Sequence, residues 1–222
     1  MNQYFNENQA VLNRERMLEL EIFDSRFKFF TNNGLFSCEK VDAASIILLE
    51  NIPSLSGTTL DLGCGYGPIG IVLAKIYPVQ ITMSDINPIA VDYATKNAIL
   101  NNVKADIAIS NGFESLPFIY ENIVLNPPIH AGKDVMYKLY QDASKHLHPE
   151  GSLYIVIQKK HGAESTMKVL SEVFRETRVL YKKKGLYVLQ NLKPISAALD
   201  INRKRQEEGD PHVTINCKSN NS

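Results

Sequence analysis

The sequence predicts an α/β fold: a mostly parallel sheet with helices on both faces and an antiparallel hairpin closing one edge. Three observations carry this expectation. From Thr58 onward, short apolar runs alternate with helical patterns, the order that gives parallel strands joined by crossover helices. Two of those helices open on proline, Pro68 and Pro88, which suits a first helical position whose N–H has no intrahelical partner. Near the end, two apolar runs flank Lys184-Gly185, a turn pair between strands.

Taken in order, Glu21–Ser37 is rich in Phe and turn residues and reads as a hairpin or lid. Val41–Ile52 has the apolar spacing of a helix. The alternating unit then runs strand Thr58–Leu62, helix Pro68–Tyr77, strand Ile81–Ser84, helix Pro88–Leu100. Strands follow at Ala105–Ile109 and Ile123–Leu125, an amphipathic helix at Val135–Leu147, and a strand at Leu153–Ile157. Ser165–Phe174 is helical, and Arg178–Lys183 with Leu186–Leu192 forms the closing hairpin. No internal repeat occurs. Residues 1–40 are expected to be an N-terminal extension, 41–194 the main domain, and 195–222 a polar, partly disordered tail with a short helix near its start.

With 222 residues, 44% hydrophobic and 22% charged, the chain can bury a full core without staples. Its three cysteines, Cys38, Cys64 and Cys217, are odd in number and form no CxxC pair. This argues against a disulfide framework and a zinc site, no metal being expected, and fits a reducing cytosol. The start, "MNQYFNENQ", lacks the regions of a signal peptide, and "AASIILL" is too short to span a bilayer. A cytoplasmic protein without a membrane partner is expected. Basic and acidic residues both total 24; a chain that grips naked nucleic acid through phosphates is usually basic. The clusters "QKKH" (158–161), "KKK" (182–184) and "RKR" (203–205) each read, taken alone, as a solvated face.

Chemistry concentrates in two stretches. In "DLGCGYGPIG", Asp61 to Gly70, glycines at 63, 65 and 67 let the backbone turn sharply and approach a ligand closely, while the helix from Pro68 aims free amides at it. Asp85 ends the next strand, where a carboxylate can accept from both hydroxyls of a ribose. An adenosine-type cofactor across the strand ends follows. Residues 65–70 also match the dinucleotide pattern GxGxxG. Asp61 shifts the balance, because a negative charge is unhelpful beside a pyrophosphate and suits the amino group of a methionine-derived cofactor such as S-adenosyl-L-methionine. The turn Ser110-Asn111-Gly112-Phe113 is the third that would face this ligand, with Asn111 able to bond adenine and Phe113 to pack near it.

The second stretch is "ENIVLNPPIHAG", Glu121 to Gly132. Its strand is expected beside the first one, so Asn126 opens into the same crevice. An exocyclic amine conjugated to a ring is a poor nucleophile, its lone pair being delocalised. The Asn126 side-chain oxygen and the Pro127 carbonyl can each accept one of its N–H bonds and orient that lone pair. Pro127 and Pro128 fix the backbone, so little reorganisation is needed in the transition state.

Together "DLGCGYGPIG", "SDIN" (84–87) and "NPPIH" (126–130), in this order and spacing, resemble a class I S-adenosylmethionine-dependent methyltransferase. The sequence is similar to the methyltransferase small domain family, the ribosomal-RNA guanine-N2 methyltransferases, whose upstream GxFS segment appears as Gly34–Ser37. The resemblance spans roughly Phe27 to Leu192 and is to the single-domain members. It implies a Rossmann-like fold with a seven-stranded sheet, S-adenosyl-L-methionine as cofactor, and ribosomal RNA or a ribosomal subunit as partner, the small subunit favoured.

Carried over, it implies Asp61, Gly63, Cys64, Gly65 and Gly67 at the methionine end, Cys64 only as a small side chain. Asp85 would hold the ribose and Asn111 would sit near the adenine, with Ile86 and Gly112 also at the cofactor. Asn126, Pro127 and Pro128 would clamp the amine, with His130 beside the target base, where it either orients the guanine and collects a proton or only shapes the turn. Ile129 departs from the family's usual aromatic, so Phe29 or Phe36 is expected to supply the missing ring face, unless each is core. Zero net charge points to recognition of a structured particle rather than phosphate density. Adenine N6, a protein glutamine, and a non-catalytic cofactor- or RNA-binding module stay open as alternatives.

Overall fold

The computed structural model describes residues 15–116 and 118–195. The expected short helix after Pro194, the basic cluster at 203–205 and Cys217 lie outside them. Chain order is β1 (Glu15–Ile22), β2 (Ser25–Asn32), α1 (Ala43–Asn51), β3 (Gly57–Leu62), α2 (Pro68–Ile76), β4 (Val79–Asp85) and α3 (Pro88–Leu100). There follow β5 (Asp106–Ile109), β6 (Tyr120–Leu125), α4 (Lys133–Lys145), β7 (Leu147–Gln158), α5 (Ala163–Val173), β8 (Phe174–Lys183) and β9 (Leu186–Pro194). Short 3₁₀ turns occupy Ile129–Ala131 and Lys159–His161.

Seven strands form one sheet in the order β5-β4-β3-β6-β7-β9-β8. The first five are parallel; β9 runs antiparallel to both β7 and β8. This is the mostly parallel sheet the alternation predicts, in the Rossmann-like seven-stranded form the resemblance implies. The order reverses between β3 and β6, so a crevice opens at their C-terminal ends.

Central strands are buried on both faces, and their side chains alternate between two cores. Val124, Tyr154 and Val156 join one with α1, α2 and α3; Leu60, Leu62, Ile123, Leu125 and Ile155 join the other with α4 and α5. Gly70 allows α2 to lie close on the sheet, since a Cβ there would stand 2.5 Å from the Met83 sulfur.

The hairpin lies at Glu15–Asn32, displaced toward the N-terminus from the expected Glu21–Ser37. Strand β1, "ERMLELEI", alternates charged and apolar residues, a quieter pattern than the Phe-rich stretch that draws attention. A two-stranded ribbon is marginal alone. Here Phe27 and Phe29 enter the core, and side chains of α3 complete the open edge of β2. Asn97 Oδ1 accepts from the Phe30 amide at 2.7 Å and its Nδ2 donates to the Phe30 carbonyl at 2.8 Å. Asn101 repeats this on Lys28 at 3.1 and 2.7 Å. One helical turn apart, the two amides imitate a neighbouring strand. No helix among the described residues is long and apolar enough to cross a membrane.

Candidate active site

Asp61, Asp85, Ser110 and Asn126 stand at or just beyond the C-terminal ends of β3, β4, β5 and β6, so four adjacent strands deliver polar groups to one edge. Between Asp61 and the start of α2 the backbone takes positive φ at Gly63 (71°), Gly65 (57°) and Gly67 (91°), a path open to glycine at little cost. A Cβ built at Gly63 or Gly65 meets nothing within 4 Å. The turn is therefore a ledge left bare at Gly63 and Gly65 and packed at Gly67, where a Cβ would stand 2.9 Å from the Ile71 side chain.

Asp61 is fully buried. Its Oδ2 accepts from the Gly70 amide at 2.8 Å, but its Oδ1, equally buried, has no partner among the described residues. Loss of water pushes this carboxyl up to about 7; the Gly70 bond opposes the rise and the nearby Asp85 charge adds to it. A buried carboxylate oxygen without a donor is costly, and a cationic ligand reaching it would restore the balance. The site thus fits the ammonium end of a methionine-type cofactor and gives no welcome to a pyrophosphate.

Asp85 braces the ledge. It accepts from the Gly65 amide at 2.9 Å and the Asn87 amide at 2.9 Å; each carboxylate oxygen keeps a further lone pair for a hydroxyl. Ile86 beside it and Ile109 at the end of β5 are both exposed, two apolar side chains at the ends of adjacent strands. Cys64 is buried, its thiol pushed well up by burial and by Asp61 and Asp85, so it is an inert filler. Asn111 is exposed, its amide donating to Glu114 at 2.9 Å, and Gly112 turns with φ 57°. Phe113 does not line the cleft. It is buried against His146, ring centroids 4.3 Å apart, because Ser110, which accepts from the Ser115 amide, folds the turn back on itself.

Asn126 reveals residues that the sequence did not point to. Its Nδ2 donates to the Asp42 carboxylate and to the Ser45 hydroxyl, both at 2.9 Å. A carboxylate accepts only, so the amide orientation is chemically fixed: nitrogen toward Asp42, Oδ1 turned away from it. Asp42 is also the N-cap of α1, accepting from the Ser45 amide at 3.0 Å. The available signal was the Asp-x-x-Ser spacing ahead of an apolar helix, which marks a cap but does not lead to Asn126.

Beyond Asn126, Pro127 is buried and Pro128 exposed, with the Ala131 amide returning to the Pro128 carbonyl at 3.0 Å. Ile129 packs partly into the core beside α4, whereas His130 is exposed on the 3₁₀ turn. Of the two aromatic candidates, Phe29 is excluded. It is fully buried, stacked near Phe27 and edge-on to Tyr66. Phe36 is 66% exposed, and the loop bearing it is tied to the glycine turn by the Tyr66 hydroxyl donating to the Ser37 carbonyl at 3.4 Å.

The model of the family described as "Methyltransferase small domain" matches residues 26–190. A Bacillus subtilis protein named "Uncharacterized protein YbxB" is 36% identical over 193 residues, covering 84% of this chain and 96% of that protein. The "Ribosomal RNA small subunit methyltransferase C" of Aeromonas hydrophila is 37% identical over 128 residues, 55% of this chain but 37% of that protein. The chain thus spans well under half of the curated relatives bearing that name. Among solved structures, the T. thermophilus 16S rRNA N2 G1207 methyltransferase in complex with AdoMet and guanosine superposes with a TM-score of 0.74 at 25% identity, over 86% of this chain and 61% of that one.

Proposed function

Since the chain belongs to the methyltransferase small domain family and is an S-adenosylmethionine-dependent methyltransferase, we propose that its acceptor is the exocyclic N2 amine of a guanine in small-subunit ribosomal RNA, in the cytosol. One observation carries the reading: the Asn126 amide, locked by Asp42 and Ser45, presents a fixed acceptor at the end of β6. A relative named for small-subunit ribosomal RNA methylation and a fold neighbour solved with guanosine support the choice of acceptor.

Bound S-adenosylmethionine supplies an electrophilic methyl on a sulfonium. The chain's own residues do the rest. Asp61, with its spare oxygen, and the ledge at Gly63, Gly65 and Gly67 seat the methionine end. Asp85 takes the ribose hydroxyls, with Ile86 against the ring system and Asn111 and Gly112 at its rim. Asn126 Oδ1 and the Pro127 carbonyl each accept one N–H of the incoming amine, which turns its lone pair toward the methyl. Pro127 and Pro128 hold those acceptors still. Good alignment of two reactants is worth up to about 7–11 kcal/mol. A guanine must leave its stack to enter, at a cost of a few kcal/mol. Phe36 and Ile129 offer an apolar surface to the base, and His130 stands at its edge.

The test is methyl transfer from labelled S-adenosylmethionine to small subunits, large subunits and protein-free ribosomal RNA from cells lacking this gene, with nucleosides identified by mass. The expected product is N2-methylguanosine in small-subunit RNA. Label in N6-methyladenosine or in protein glutamine would keep the clamp and overturn the acceptor. No label in any acceptor with cofactor bound would leave the non-catalytic module.

A further inference from the structure

Two basic clusters far apart in the sequence, at 158–161 and 182–184, meet in the fold. Strand β9 pairs with β7 so that Leu186 lies opposite Gln158, and the Lys159 amide donates to the Gly185 carbonyl at 2.7 Å. The β8–β9 turn and the 3₁₀ turn after β7 are therefore one surface. Lys133, which opens α4 directly after the Asn-Pro-Pro loop, reaches the same place: its Cε lies 3.7 Å from where a Cβ on Gly162 would stand.

Lys133, Lys159, Lys160, Lys183 and Lys184 are all exposed. None is among the ion pairs of the described residues. Asp134 follows Lys133 directly, and Glu164 lies in the first turn of α5 after the 3₁₀ turn. Solvated basic residues elsewhere on the molecule are often paired with acids, as Arg26 is with Glu21, Lys96 with Glu15 and Lys138 with Asp142. Leu125 lies opposite Ile155, three residues before Gln158. The lysine surface thus stands about 10 Å further along the strand direction than Asn126 and one or two strands to the side.

We propose that this lysine surface grips phosphates of the RNA strand next to the target base, an interaction that rests on the ribosomal-RNA reading above. Even overall charge is no obstacle, because what a phosphate meets is the local field. The surface supplies register without reading sequence, as phosphate-binding side chains do.

The test uses the full chain carrying Lys159→Gln, Lys160→Gln, Lys183→Gln and Lys184→Asn together, asparagine being suited to the positive φ of 50° at Lys184. The ligand is protein-free small-subunit ribosomal RNA between 50 and 200 mM salt. Affinity should fall by roughly tenfold or more at low salt, and the slope of log affinity against log salt should shrink by about 0.7 for each phosphate no longer neutralised. The RNA KM should rise with kcat at saturation retained, while cofactor affinity and thermal unfolding stay unchanged. Arginine at the same four positions should retain binding.

A control, Lys75→Gln with Lys104→Gln, removes two charges away from the lysine surface, one at the end of α2 and one just before β5, and per charge removed it should weaken RNA binding far less. If it weakens RNA binding as much, or if the quadruple variant keeps its slope and KM, the lysine surface is not the grip and the reaction assignment stands. If only transfer to assembled subunits suffers, the cations meet a ribosomal protein instead, and the proposal falls. If the unaltered protein methylates no ribosomal RNA, both readings fall together.

Discussion

Asn126 is held by two residues more than eighty positions earlier in the chain, and this lets positioning be separated from direct binding one residue at a time. Ser45→Ala removes one hold on the amide, and Asp42→Asn replaces an obligate acceptor by a group that can face Asn126 either way. In the double variant the amide is free to rotate and the amine loses a preset acceptor. We expect kcat to fall roughly ten- to a hundredfold, less than the roughly hundred- to thousandfold of losing one preorganised polar group outright, with cofactor affinity unchanged. Asn126→Ala should abolish transfer outright with cofactor affinity kept within a few-fold. Parallel loss of cofactor binding in a titration would show that these side chains serve the ledge or the fold instead. Asp61, Asp85 and Asn126 were legible because each is an unusual residue at a strand end. Asp42 and Ser45 were not, because the distance that matters between them and Asn126 exists only after folding. Phe29 and Phe36 look alike in sequence; only the fold places one on the core face of β2 and the other in the exposed loop after it.

At the scale of elements, Asn97 is the joint between hairpin and cleft. Besides bonding both backbone groups of Phe30, it donates to the Tyr66 carbonyl at 2.8 Å within the glycine turn. Fully buried, it cannot be replaced there by water at no cost. Asn97→Ala should destabilise the protein by about 1–3 kcal/mol, read by urea unfolding. Amide exchange should quicken in β2 more than in β4, and equal quickening in both would contradict a local role. Most strands and helices from β3 onward were legible within a few residues, where one clear periodicity meets a proline or glycine boundary, but β7 starts at Leu147 rather than Leu153 and β8 at Phe174 rather than Arg178, since the polar stretch of β7 and the direct passage from α5 into β8 carry no such boundary. The hairpin was legible as a kind of element but displaced, since the alternation in β1 lacks a turn signal at its start and the turn itself is built on Phe23 and Asp24 at positive φ. The side-chain ladder from α3 had no signal at all beyond two asparagines four residues apart.

For the molecule as a whole, the cofactor ledge is linked to stability and pH through Asp61. Its folded carboxyl titrates near 7, above the ordinary value near 4. Between those values the native state holds a proton that the unfolded chain has released. Stability without cofactor therefore falls as pH rises through that window, by on the order of 4 kcal/mol, and levels off above it. A cation bound at Asp61 favours the ionised form, so cofactor affinity should climb by up to about tenfold per pH unit below 7 and flatten above. Titration calorimetry from pH 5.5 to 8.5 tests this, with Asp61→Asn expected to bind more weakly and lose the slope; a slope surviving in Asp61→Asn assigns it elsewhere. The sheet order carries one more consequence, concerning the sequence in which a ribosome delivers the chain. Everything from Asp42 to Asn126 emerges early, yet β7, twelve residues long, must wait for β9 to cover its outer edge. Until Leu186 and its successors arrive, that strand is an open apolar template for any other chain. The last pairing made is thus the one that keeps each newborn molecule from joining its neighbour.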